Sequence, residues 1–352
     1  MLLVSAVSLT APLPLRSQPA PLPASSLAVQ TGPRGGWHPW WNAASAPSHW
    51  SAPVPEVEGA VRWTRTAPGV EHGVLRLAGT GEARRIALVL LRVDPPLVSF
   101  ALHAREDGES GYLPWTIRDA TASTATVINA TAARQPHLLA AFNAGQFSVG
   151  GPWGWLVTRG AERQRPGIGP LSSAFVIDSS GAVSLVEAAG IDARRRAGTV
   201  VEAFQSYPTI LRGNGELPAP LQAPGRGVSV SHRDARFALG ILRDGRVLLA
   251  LSRFDLLGGA LSELPLGPTV PEITAIMGAL GCAQAMLLDG GISGQLRITG
   301  AGAWKGNRSV PVAMLVHARA NGPSRSSEKL SQRASRSGGL ARHVPSRSTE
   351  RH

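Results

Sequence analysis

Apolar residues between positions 57 and 320 come in runs of strand length, such as Ile86–Arg92, Val98–His103, Phe175–Asp178 and Val183–Val186. Helix-length apolar patterns are few. Short β-rich runs without regular intervening helices do not build alternating β–α units. They predict an α+β fold, a single β-rich domain with a mixed sheet and few helices. No fixed-period repeat is present, which sets solenoids and propellers aside. Hydrophobic residues make up 43% of the chain, enough to bury a core across most of its length.

The ends read differently. Residues 1–56 hold ten of the 28 prolines and are read as a leader, with a stretch of signal-sequence character at Met1–Leu15 and a Pro/Trp-rich linker behind it. That stretch makes export to the cell envelope or beyond one expectation, with a cytoplasmic location as the other. Trp37, Trp40, Trp41 and Trp50 are four of nine tryptophans, and the expectation is that they pin the leader onto the domain. Residues 321–352 are rich in Ser, Arg and Gly, with seven basic and two acidic residues, and are read as a disordered tail. The predicted domain is therefore residues 57–320, flanked by disordered termini.

Charge narrows the chemistry. The net charge is +12, and only Lys305 and Lys329 among the 35 basic residues are lysines. Arginine's planar fork suits phosphate and carboxylate groups. Half of the excess lies outside residues 57–320, and no basic face interleaved with aromatics is visible, so no specific nucleic-acid partner is expected. Cys282 is the sole cysteine, which excludes an intramolecular disulfide framework and a Cys-rich zinc site. No run of 18 apolar residues suits a membrane-spanning helix. Walker loops, dinucleotide fingerprints and His-Glu-x-x-His helices are absent, so no cofactor and no metal is expected.

Three local units carry the candidate site. Phe237–Leu242 and Val247–Leu251 flank Asp244-Gly245, the dipeptide of a two-residue hairpin turn. With that turn Arg236 lies opposite Arg253, and the repulsion calls for Asp234, Asp255 or a bound anion, unless the pair is a solvated edge. Next, Thr269 and Glu272 have capping-box spacing ahead of Ile273, Ile276, Met277 and Leu280, which predicts a helix stopping at Gly281. A buried strand at Ala285–Leu288 then delivers Asp289, followed by Gly290, Gly291, Ile292, Ser293 and Gly294. Asp289 at that position is either a catalytic carboxylate or the organiser of its own turn. Finally, Leu138–Phe142 is a buried-type run ending in Asn143-Ala144-Gly145-Gln146-Phe147, where Asn143 is an active-site amide or a turn former. Gly291-Ile292-Ser293-Gly294-Gln295 lacks the spacing of a nucleophile elbow, which removes a serine hydrolase.

Five segments in order resemble the phosphodiester glycosidase family. They are Phe142-Asn143-Ala144-Gly145-Gln146-Phe147, Gly154-Trp155-Leu156-Val157 with Gly160, Gln205-Ser206-Tyr207-Pro208 with Leu211 and Gly215, Arg236-Phe237-Ala238-Leu239-Gly240, and Leu288-Asp289-Gly290-Gly291-Ile292-Ser293. Ile292 stands where the family commonly has a third glycine, and Phe237 where it has Thr or Asn.

The resemblance implies a hydrolase that cleaves a sugar-1-phosphodiester at the anomeric C–O bond. The products would be a GlcNAc-like sugar and a phosphomonoester, and the partner a phosphodiester-linked sugar or glycopolymer. Asp289, Asn143 and Arg236 become the catalytic candidates, with Asp289 as nucleophile or base. Arg253, Ser293, Gly145, Gly290, Gly291, Gln205 and Asp255 become the substrate-contacting set, with Arg236 and Arg253 sharing the phosphate. A non-catalytic glycan-binding module on the same scaffold is the alternative.

Overall fold

The computed structural model describes residues 26–32, 35–80, 83–104, 106–107, 111–112, 138–148, 151–167, 170–218, 230–255, 264 and 266–319. The expected signal stretch and the Arg/Ser-rich tail lie outside these residues. Within them the fold is β-rich, with three α-helices: α1 (Pro55–Ala60), α2 (Ala188–Ala197) and α3 (Val270–Ala279).

Three sheets carry the structure. The main sheet has nine strands and runs Thr209–Leu211, Cys282–Leu288, Phe237–Leu242, Val247–Phe254, Ile86–Val93, Val70–Ala78, Ser26–Gln30 and Trp37–Asn42, with Thr64–Ala67 beside Val70–Ala78. The second has five, in the order Gly302–Trp304, Leu296–Ile298, Leu138–Asn143, Val312–Ala318 and Val98–Ala104. The third, also five-stranded, runs Ala161–Gln164, Leu156–Thr158, Val200–Ser206, Ser173–Asp178 and Val183–Glu187. The mixed sheet expected from sequence is antiparallel at every pairing in all three. A parallel neighbour needs a long crossover, usually a helix, and this chain spends few residues on helices.

Both faces of the main sheet are covered, which is why its central strands read as unbroken apolar runs. Leu248, Ala250 and Ala238 pack toward α3 with Ile273, Ile276 and Met277. Val247, Leu249, Leu251, Phe237 and Leu239 face the other way, into a core shared with Phe142 and Met314 of the second sheet and Phe175 and Phe204 of the third. Phe142 and Phe237 meet edge to face across that core, 6.2 Å between centroids. A buried carboxylate ties the sheets together: Glu202 of the third accepts the backbone N–H of Leu102, in the second sheet, at 3.2 Å. The capping box forms as spaced, Thr269 accepting from the Glu272 N–H and Glu272 from the Thr269 N–H.

Two expectations change here. Residues 26–56 are not a linker, because Ser26–Gln30 pairs with Val70–Ala78 and Trp41 and Trp50 are buried. Trp50 lies so tightly on α3 that a Cβ at Gly278 would stand 2.3 Å from its ring. A five-residue strand inside a Pro-rich stretch has too short a pattern to stand out.

The hairpin register is the second. Phe237 pairs with Leu251 and Ile241 with Val247, so Arg236 lies opposite Ser252 and Arg253 points to the other face. The loop has three residues. Leu242 N–H bonds Arg246 O at 2.8 Å, and Gly245 alone in it takes a positive φ, +86°. A two-residue turn of the expected type requires positive φ at both Asp244 and Gly245, and an aspartate gives that up readily when a G1 bulge suits the twist. Nothing crowds a Cβ at Gly245. Gly245→Ala is therefore expected to lower stability through backbone strain alone, by about 1 kcal/mol in urea titration.

Candidate active site

The site begins where Cys282–Leu288 ends. Its last residue, Leu288, still pairs with Phe237, and the next, Asp289, opens a tight turn in which the N–H groups of Ser293 and Gly294 both donate to Gly290 O, at 2.8 and 3.1 Å. Gly291 N–H donates to Ala235 O, binding the turn to the neighbouring strand's approach. Gly290 passes so near this segment that a Cβ there would lie 2.5 Å from Ala235 O. At Gly291, with φ +53°, a Cβ would lie 3.1 Å from an Asp234 carboxylate oxygen. The two glycines thus admit the protein's own chain, and their proximity brings Asp234 beside the turn.

Asn143 arrives from the second sheet. It is 1% exposed, and both ends of its amide are engaged: Nδ2 donates to Asp289 O and Oδ1 accepts from the Gln295 N–H, each at 2.8 Å. The side chain spans the turn like a clasp, and its own strand is held by the pairing of Phe142 with Leu296. Both contacts are with backbone groups of the turn.

Electrostatics separate the two carboxylates from ordinary surface acids. Burial pushes the Asp289 carboxyl up to about 6, against the Ser293 hydroxyl bonded to it and the Arg308 charge, while Asp234 nearby adds to the rise. Asp234 is also raised by burial, with the Arg236 and His232 charges opposing. Its Oδ1 is buried and has no hydrogen-bond partner among the described residues. Two desolvated carboxyls that repel each other are the usual makings of an acid–base pair.

The arginines expected opposite each other lie on opposite faces of the main sheet. Arg236 directs its guanidinium to the carbonyls of Pro268 and His232. Arg253 is 5% exposed and donates from Nη2 to Gly294 O at 2.7 Å and Lys305 O at 3.0 Å, on the opposite face of the sheet. Arg253 thus joins the Asp289 turn to the chain at Lys305. Asp255 pairs with Arg76 at 3.2 Å. Gln205 accepts from Trp155 N–H and Gly167 N–H, both at 2.9 Å, and donates to Leu171 O, so it ties these three residues together. Gly145 takes φ +68° in the turn after Asn143, with Gln205 O 3.0 Å from a built Cβ. Ser293 alone of the expected substrate-contacting side chains touches the Asp289 carboxylate.

Sequence reasoning missed an aromatic pair near the end of the Asp289 strand. Trp153, 40% exposed, stands edge-on to Tyr207 at 5.7 Å, and Gln146 donates to Tyr207 O. The Pro208 carbonyl accepts the Leu287 N–H, which sets Tyr207 alongside the end of the Asp289 strand. Arg308 was missed as well. It lies in a loop without any period, and only its contacts reveal it. Among the described residues no three His, Cys, Asp or Glu side chains converge as a metal site.

The order and placement of these segments agree with a family model described as phosphodiester glycosidase, which matches residues 137–317, just over half of the chain. The chain belongs to the phosphodiester glycosidase family. Among solved structures, the catalytic domain of zebrafish N-acetylglucosamine-1-phosphodiester alpha-N-acetylglucosaminidase, auto-inhibited by its pro-peptide, is similar at 18% identity. That match covers 76% of this chain and 87% of the other with a TM-score of 0.56, a likeness of fold. A hypothetical protein from Synechocystis matches at 15% identity over 85% of this chain and 69% of its own, with a TM-score of 0.49. No curated protein sequence matches. No described helix of this phosphodiester glycosidase relative is long and apolar enough to cross a membrane.

The clasp is testable without knowing the substrate. Asn143→Ala removes the side chain that bonds the Gln295 N–H and the Asp289 carbonyl, and should cost about 2 kcal/mol in chemical denaturation. A cost below about 0.5 kcal/mol would show that the turn holds without it.

Proposed function

We propose that this protein hydrolyses a sugar-1-phosphodiester at the anomeric C–O bond, releasing a GlcNAc-like sugar and leaving a phosphomonoester on a second moiety such as a glycopolymer. The observation that carries this reading is the Asp289 carboxyl. It stands at the end of a buried strand on the family's own motif, desolvated to a pKa of about 6, with Ser293 orienting it and a second raised carboxyl, Asp234, beside its turn.

The chemistry follows from the leaving group. A phosphomonoester departs as a weak base, so the oxocarbenium-like transition state needs little protonation of the departing oxygen and much stabilisation of charge. Above about pH 6 Asp289 is ionised and serves as nucleophile, or as base for the attacking water. Asn143 holds the carbonyl of that same residue, so its amide fixes where the carboxylate stands. Asp234, where protonated, supplies the second carboxyl of the pair. Trp153 and Tyr207 offer an aromatic surface of the kind on which the apolar face of a pyranose rests. Export, suggested by the apolar N-terminal stretch, would place the enzyme with extracellular or envelope glycopolymers.

Release of GlcNAc from a GlcNAc-1-phosphodiester measures the reaction. Asp289→Asn is expected to retain the fold and lower kcat/KM by about a thousandfold. Near wild-type turnover by that variant would sink the assignment, and binding by the wild type without turnover would favour a glycan-binding module. Since the ionised form acts, kcat/KM should fall as pH drops through about 6, and any residual activity of Asp289→Asn should lack that acid limb.

A further inference from the structure

Arg236 and Arg253 both donate to backbone carbonyls, and a third arginine stands nearer the Asp289 carboxylate. The chain at 306–308 is bolted to the Asp289 turn: the N–H groups of Asn307 and Arg308 both donate to Ile292 O, at 2.8 and 3.0 Å, and Gln295 Nε2 donates to Arg308 O at 2.7 Å. Gly306 lies close enough that a Cβ would stand 2.7 Å from Ile292 O, so this segment cannot drift from the turn without opening it. The Arg308 guanidinium lies over the Phe147 ring, 5.1 Å from its centroid. Phe147 belongs to the strand that follows the Asn143 turn. Arg308 therefore bridges the two turns that carry Asn143 and Asp289.

We infer that Arg308 is the phosphate-recognising residue of this site, its guanidinium held over Phe147 and presented to the phosphodiester beside Asp289. The inference rests on the reading proposed above and names the group that recognises the leaving phosphate. Stacking on an aromatic face restrains the plane of the guanidinium and leaves its N–H edges for planar, bidentate contact with an oxyanion. Among the described residues no carboxylate or carbonyl takes up those donors. Among the described residues Arg308 is also the one cation whose charge is felt at Asp289, where it favours the ionised carboxylate. The residue would thus serve both partners of the reaction, stabilising the nucleophile or base before attack and the phosphate as it leaves.

The test uses Arg308→Gln and Arg308→Lys in the full chain, read by phosphorus NMR titration with inorganic phosphate and by kinetics. The substrates are a methyl diester of GlcNAc-1-phosphate and the uncharged 4-nitrophenyl glycoside of the same sugar. Expected for Arg308→Gln, at a pH above both acid limbs, is phosphate binding weakened about tenfold or more and kcat/KM on the diester lowered about a hundredfold, with a loss at least about tenfold smaller on the aryl glycoside, where only the support of Asp289 is missing. The lysine variant should recover part of both losses, as a point charge without the fork. Its acid limb should stay near that of the wild type, whereas that of Arg308→Gln should move to higher pH. Phosphate binding and diester kinetics unchanged in Arg308→Gln would overturn the inference, as would a wild type that binds no phosphate. If the wild type releases sugar from neither substrate, the proposed reaction falls. The phosphate titration then still decides Arg308: loss of binding in the glutamine variant supports it, and retention refutes it.

Discussion

One buried amide joins the two halves on which the candidate site depends. Asn143 sits at the tip of a second-sheet strand, and its Nδ2 and Oδ1 reach the carbonyl of Asp289 and the N–H of Gln295 in a turn that leaves the main sheet. Buried backbone groups at the end of a strand must find partners, and a short side chain with one donor end and one acceptor end can satisfy two of them at once. The result is more than local order. The clasp ties the Asn143 strand of the second sheet to both ends of the turn that carries Asp289.

The same economy governs the arginines. An Arg-rich chain with few lysines suggests anion binding, yet several guanidiniums here complete the scaffold. Arg253 donates to Gly294 O and Lys305 O, Arg233 pairs with the buried Glu272 that caps α3, and Arg236 reaches the carbonyls before that helix. A planar donor with five N–H groups is well suited to gathering loop carbonyls that no strand can pair. Bulk charge is therefore a poor guide to which arginine meets a ligand. What singles out Arg308 is its position on the two turns and its contact with an aromatic ring.

Burial supplies the reactivity. A carboxylate at the exposed end of a strand titrates near its ordinary value, whereas Asp289 is raised to about 6 because two sheets and a glycine-rich turn remove much of its water. The glycines matter to this by permitting contact: at Gly290 the chain approaches Ala235 at a distance no side chain would allow, and at Gly291, with φ +53°, it passes close to Asp234. The close approach that creates the electrostatic pair is the one that the Gly-Gly sequence makes sterically available.

Much of this was legible in the chain itself. Strand-length runs gave the β-rich class, the Thr269–Glu272 spacing gave the cap of α3, and the apolar run before Asp289 placed that carboxylate at a strand end, because each depends on residues within a few positions of one another. The limits are equally physical. The hairpin sequence allowed two loop lengths that differ by one residue, and the slip between them sends Arg253 to the opposite face from Arg236. Composition concealed the strand at Ser26–Gln30, whose stability comes from pairing with Val70–Ala78. Asp234 and Arg308 come to act on Asp289 only because strands far apart in the chain share a core. The sequence by itself determined the elements, the glycine-bounded turns and the chemistry each turn could offer. The tertiary structure decided which side chains are consumed by the scaffold and which remain for a ligand, since that division depends on partners far apart in the chain.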